Sequence, residues 1–284
     1  MSHSEHVLIK ALSLLILAVL PAPAAVADTS YGELIGDRSP VFSENARLFE
    51  TPSESSTVVC ALPVGTEVFR LAAVDIQHTS DGFSSTWMQG SCELGGERFQ
   101  GYIPMSWLAL TSQELGADTL LLFGIDSGDP LTGRFVGVAK VVSGGRMLWG
   151  VTFYPPNTDF GGSAGYGYGV SSRRLDPEGF SGVEDLVMLS FLYEACGYEN
   201  RDVLLTWTGK YLAAGIAASR VTEAGIFHYT EEILLPGTDP SLADLVSIVS
   251  TSEEFDDAAG EYFTVNTDTT TWMWNGIEFI ERDY

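Results

Sequence analysis

Few residues in this chain could carry out chemistry, and their spacing decides what that chemistry would be. Two histidines stand outside the N-terminal stretch, His78 in "DIQHTS" and His228 in "GIFHYT". A zinc hydrolase normally draws two or three histidines at defined spacing, and no such cluster occurs. Cys196 in "YEACGYE" and His228 form the one conceivable nucleophile–base pair. Neither sits in a motif, and a small cysteine buried beside a strand is the plainer reading. No "G-x-S-x-G" elbow is present. Paired carboxylates such as Glu231–Glu232 and Glu253–Glu254 would suit glycoside hydrolysis, but a chain with 38 acidic residues produces such pairs by chance. "TEEILLP" reads as a strand with an acidic lead-in. The residue types point to no enzyme, no metal and no cofactor.

What remains is binding, and its candidates are aromatic: Phe83, Trp87, Tyr102 and Trp107. Aromatic faces give large contact area at low entropic cost, and Tyr and Trp keep a polar handle. Trp87 and Tyr102 also suit a plain packing role, because small barrels are filled by side chains. The formal charge of −24 works against nucleic acid and anionic lipid, both of which need clustered Lys and Arg.

The elements that must position these residues are strands. From 46 to 110 the chain reads "ARLFE", a Pro/Ser break, "TVVCAL", "PVGT", then "EVFRLAAV", which alternates Val68, Arg70 and Ala72 against Phe69, Leu71 and Ala73. "DIQHTSDGFSS" reads as a long polar loop. "TWMQGSCEL" and "RFQGYIPMSWL" flank "GGE", a hairpin signal. Five short strands in so short a stretch suggest a small closed barrel, since closure removes exposed edges.

In order and spacing, Leu62, Gly65, Thr66, Val68, Trp87, Gly101, Tyr102, Ile103, Trp107 and Leu108 resemble the bacterial SH3-like domain of cell-envelope proteins. The resemblance covers about a quarter of the chain. It implies a small barrel that binds cell-wall peptides or an envelope protein, without chemistry of its own. Its alternative is an envelope (peptidoglycan) hydrolase, or the specificity subunit of one, with a site that no motif marks.

Residues 118–284 read as a second β-rich domain, joined through "TSQELGAD". "TLLLFGI", "GRFVGVAKVV" and "RMLWGVTFY" are strands, the last two joined by the turn "SGG". Residues 155–182 form a Gly/Tyr-rich loop whose aromatics Phe160, Tyr166, Tyr168 and Phe180 could offer a contact surface, although a mobile insertion is the plainer reading. An approximate repeat then links 185–212 with 244–279. "DLVMLS" and "DLVSIVS" lead the two units, and Trp207 and Trp274 stand before a "T-G" or "N-G" turn. Asp-Leu-Val followed by "W-x-G" resembles the FG-GAP repeat of propeller proteins. That family's calcium loop needs oxygen ligands at alternate positions, where this chain has Pro177, Gly179 and Ser181, then Pro236, Thr238 and Pro240. The resemblance therefore implies no metal, and a partial propeller or a sandwich.

The N-terminus completes the picture. "ALSLLILAVL" followed by "PAPAAVA" reads as a signal peptide over 1–27, cleaved after Ala27. Residues 28–45 then read as a linker. The apolar run is too short to cross a hydrocarbon core of ~30 Å, so the expected product is periplasmic or secreted, with no membrane insertion after cleavage. In such a compartment cysteines pair. Cys60–Cys92, Cys60–Cys196 and Cys92–Cys196 are all open, as are three separate thiols. Only the first pair lies wholly within the proposed barrel, where it would close a loop of about 30 residues, worth roughly 3 to 4 kcal/mol on the chain-entropy model.

Overall fold

The computed structural model describes residues 38–116, 118–129, 134–156, 168–237 and 239–282. The segments that the sequence presents as a signal peptide and as the first part of a linker lie outside them. The described chain is all-β, with 18 strands arranged in three antiparallel sheets. No helix among the described residues is long and apolar enough to cross a membrane.

The first sheet contains β1 (Arg38–Pro40), β2 (Arg47–Phe49), β3 (Val58–Ala61), β4 (Glu67–Ser80), β5 (Phe83–Leu94) and β6 (Glu97–Pro104), in the order β1-β4-β5-β6-β2-β3. It curls so that Leu48, Val68, Met88, Ile103 and Leu108 meet in one core. The five strands expected between 46 and 110 are joined by a sixth, β1, which comes from the stretch presented as a linker. A larger difference concerns residues 75–85. They are not a loop but the outer arm of the β4–β5 hairpin, closed by Asp81 (φ 52°) and Gly82 (φ 82°). Two consecutive positive φ angles match the twist of the flanking strands, and Asp-Gly is a preferred pair for that turn.

The second sheet runs β10-β9-β8-β7 and consists of β7 (Thr111–Gly116), β8 (Thr119–Asp129), β9 (Arg134–Ser143) and β10 (Arg146–Phe153). Here "TSQELG" is a strand rather than a connection. The third sheet has eight strands in chain order: β11 (Gly169–Leu175), β12 (Asp185–Leu192), β13 (Asn200–Trp207), β14 (Leu212–Glu223), β15 (Phe227–Leu234), β16 (Leu245–Asp256), β17 (Glu261–Trp274) and β18 (Phe279–Arg282). The Gly/Tyr-rich stretch therefore contains a strand, β11. Its Phe160 and Tyr166 lie outside the described residues.

The second sheet packs face to face on the first four strands of the third. Leu121, Phe123 and Val141 meet Val187, Leu189, Phe191 and Leu205 between the layers. At one margin the Ser172 hydroxyl donates to the Ser112 carbonyl at 3.0 Å, bringing β11 beside β7. At the other, Trp149 of β10 meets the Tyr211 ring at 5.2 Å, just before β14. The opposite face of β12–β14 is covered in turn, with Leu186, Met188, Leu204 and Ile216 meeting Val246, Trp274 and Phe279. Burial on both faces accounts for the nearly continuous apolar runs of β12 and β13, where a half-solvated strand would alternate.

Asp185 pairs with Trp207 across β12 and β13, and Trp207 with Leu212 across β13 and β14. Trp274 pairs with Phe279, and its backbone N–H donates to the Asp244 carbonyl at 2.7 Å. Each tryptophan therefore ends its strand at the mouth of a hairpin. Asp244, at φ 61°, also accepts from the Ser181 amide at 2.6 Å and the Ser181 hydroxyl at 2.8 Å, tying the turn before β16 to the segment that leads into β12.

Asp185 is 3% exposed and pairs with Arg174. Burial pushes its carboxyl up, and the guanidinium offsets this only in part. A carboxyl raised in the folded state contributes stability that is complete below its unfolded pKa and lost as pH rises through the folded one. Ionised Asp185 therefore weakens the fold at neutral pH. Asp185→Asn is expected to be at least as stable as the parent at about pH 7, and to show a flatter stability profile from about pH 4 upward, measured by urea denaturation across pH.

Candidate functional site

The aromatic residues of the first sheet divide into two roles. Trp87 follows the outer arm on β5. Its neighbour Met88 points into the core, so Trp87 faces the other side of the sheet. There it is 2% exposed and buried in a nest of rings. Phe49 meets it edge-on at 5.6 Å and His78 at 5.5 Å. Edge-to-face contacts of this kind set the positive ring edge against the negative face. Trp87 is thus a packing residue, not a contact surface.

Trp107 is half-buried and stands in a 3-10 turn, Met105–Trp107, directly after β6. Its ring leans on Phe49 at 6.1 Å and on His78 at 5.7 Å. The turn is tied to the hairpin arm at two points. The Ser85 hydroxyl donates to Ser106 Oγ at 2.9 Å, and the Ser106 amide donates back to Ser85 Oγ at 3.2 Å. Tyr102 is half-buried on β6, beside Gln89 and Phe49. Phe83 opens β5 opposite Ser80, and its side chain lies outside the described residues.

His78, which the sequence places in a polar loop, is 5% exposed at the centre of the nest. Its Nε2 lies 2.8 Å from Glu54 Oε1 in the Ser-rich turn between β2 and β3. The signal that could have placed it is Asp81–Gly82. Once that pair is read as a tight turn, His78 falls on a strand opposite Ser85.

Trp107 also stands at a cleft of about 310 Å³ between the first and second sheets, with Phe42, Glu44, Asp81, Asp126 and Lys140 around it. The hairpin tip reaches the second sheet here, where the Gly128 amide donates to the Asp81 carbonyl at 2.8 Å. Lys140 interrupts the apolar run of β9 and is buried. Its Nζ donates to the Phe42 carbonyl at 3.3 Å, lies 3.7 Å from Glu44 Oε1 and sits 4.1 Å above the Phe42 ring. Three carboxylates against one ammonium leave the cleft net acidic. A part-exposed indole beside carboxylates suits a cationic or amide-rich ligand. Junctions between packed units are common places for such clefts.

The other residues that the sequence singles out lie elsewhere. No hydrogen bond or ring contact joins Cys196 to His228 among the described residues. His228 stacks on Tyr262 at 3.8 Å and lies 3.6 Å from Glu253. Tyr168 and Phe180 are buried in two separate cores rather than on a surface. Burial and nearby Glu199 push the Tyr168 phenol up to about 12. No three His, Cys, Asp or Glu side chains gather as metal ligands among the described residues. No protein family, curated protein or solved structure matches this chain.

Proposed function

We propose that this protein is an exported, non-catalytic binding protein whose first sheet is an SH3-like module for cell-wall peptides or an envelope partner. The observation that carries the reading is Trp107, held part-exposed in the lining of an acidic cleft by a turn hydrogen-bonded to the β4–β5 arm. The apolar run at 11–20 and the "PAPAAVA" that follows it to Ala27 support export, with the product in the periplasm or secreted. The two β-rich sheets act as a second interaction module or as a support for the first. The matched registers of Asp185–Trp207–Leu212 and Asp244–Trp274–Phe279 support reading 185–212 and 244–279 as two copies of one unit.

The test is co-sedimentation with purified peptidoglycan, scored for bound protein and for released fragments. The parent protein is expected to pellet and to release nothing. Trp107→Ala is expected to lower affinity about 30-fold, as for a hot-spot aromatic worth about 2 kcal/mol. Soluble fragments would show a hydrolase instead. Retention of affinity by Trp107→Ala would remove the cleft as the site.

A further inference from the structure

Beyond the binding role, we propose that Cys60 and Cys92 form an ordered redox pair in which Cys60 meets the oxidant and Cys92 closes the disulfide. Cys60 lies on β3, the outermost strand of the first sheet, paired with Leu48. Cys92 lies on β5, paired with Phe99. Two strands, β6 and β2, separate β5 from β3 in the sheet. Only the curl of the sheet brings both side chains to the same apolar core, Cys92 within it and Cys60 packed against it, close enough for each thiol to act on the other's ionisation. Both are free thiols in this structure.

The two positions are unequal. Cys92 is 5% exposed, whereas Cys60 is part-exposed at the sheet margin. An oxidant arriving from solvent therefore reaches Cys60 first. Burial pushes both thiols up, and the adjacent Cys60 helps take Cys92 to about 12. Since the thiolate is the attacking species, Cys92 is protected from solution reagents twice over, by access and by protonation.

The co-reactant is a small-molecule disulfide such as oxidised glutathione. The Cys60 thiolate attacks one of its sulfurs, forming a mixed disulfide and expelling one glutathione thiolate, which takes up the proton that Cys60 gave up. The Cys92 sulfur then attacks the Cys60 sulfur, expels the second glutathione and passes its proton to it. Two protein thiols are oxidised and one external disulfide is reduced to two thiols. The product is a covalent tie from the outermost strand to β5, across a region now held by packing. Cys196, exposed in the turn between β12 and β13, takes no part.

The test uses the full chain with Cys196→Ser as background, treated with oxidised glutathione and mapped by mass spectrometry without reduction. The expected result is a peptide linking Cys60 to Cys92 and a Tm about 5–10 °C above that of the reduced protein. Adding Cys92→Ser is expected to trap glutathione on Cys60. Adding Cys60→Ser is expected to leave Cys92 unmodified while circular dichroism shows the protein folded. Failure to link the two in folded protein overturns the pair. Equal labelling of Cys92 in the folded Cys60→Ser variant overturns the order.

Discussion

Phe123→Ala is expected to destabilise the protein by about 3–5 kcal/mol, the usual cost of emptying a buried aromatic site. Phe123 has no exposed surface and lies between the second and third sheets. Its ring meets Phe191 of the facing sheet edge-on at 5.3 Å and stacks near Phe153 of its own sheet at 5.4 Å. The site is shaped for this ring, because a side chain at Gly137 would begin 2.8 Å from it. Strands on both sides are held by backbone pairing, so the layers cannot collapse into the space. Urea denaturation should show a lower midpoint with an unchanged slope, and Phe123→Leu should recover part of the loss. A loss below about 1 kcal/mol would mean that the two layers do not share this core.

Gly101→Val is expected to cost about 3 kcal/mol, at the upper end for overpacking. A Cβ at this position would stand 2.7 Å from the Phe49 carbonyl oxygen and 3.2 Å from Leu48 Cβ. The nearest obstacle is backbone, so relief requires separating β2 from β6, the pairing through which the first sheet curls. Gly116→Ala is the control, since nothing lies within 4 Å of the added carbon. Thermal unfolding should separate the two variants clearly. A near-parental Gly101→Val would show that β2 and β6 do not approach so closely in solution.

Gly101 also shows what a sequence pattern can carry. In the string it is one letter of "GYIPMSWL"; in the fold it is the point where two backbones touch. The turns at Gly95–Gly96 and Gly144–Gly145 are equally legible, because consecutive glycines flanked by apolar strands leave few other structures. The β4–β5 arm is not legible by the same means. Its outer half is polar, and irregular pairing near Val74 and Gln77 breaks the alternation on which a period-two reading depends. β11, "GVSSRRL", is hidden for a related reason, as an edge strand with one solvent-facing side. Of the candidate site, Trp107 could be read from its own chemistry. The burial and partners of His78 and Lys140 could not, since these come from residues distant in sequence: Glu54 and Trp107 for one, Phe42 and Glu44 for the other.

The strand order of the third sheet bears on how the chain reaches this state. From β11 to β18 every strand lies beside its predecessor, so each closure spans only one connection and the sheet can grow by propagation along the chain. The first sheet cannot. β1 finds no partner until β4 exists, and β2 none on its inner side until β6 has formed. Loop-closure entropy must be overcome before such non-local pairings stabilise anything, and it slows folding accordingly. The rate-limiting step is therefore expected in the smaller N-terminal sheet, with the longer meander forming by faster local steps.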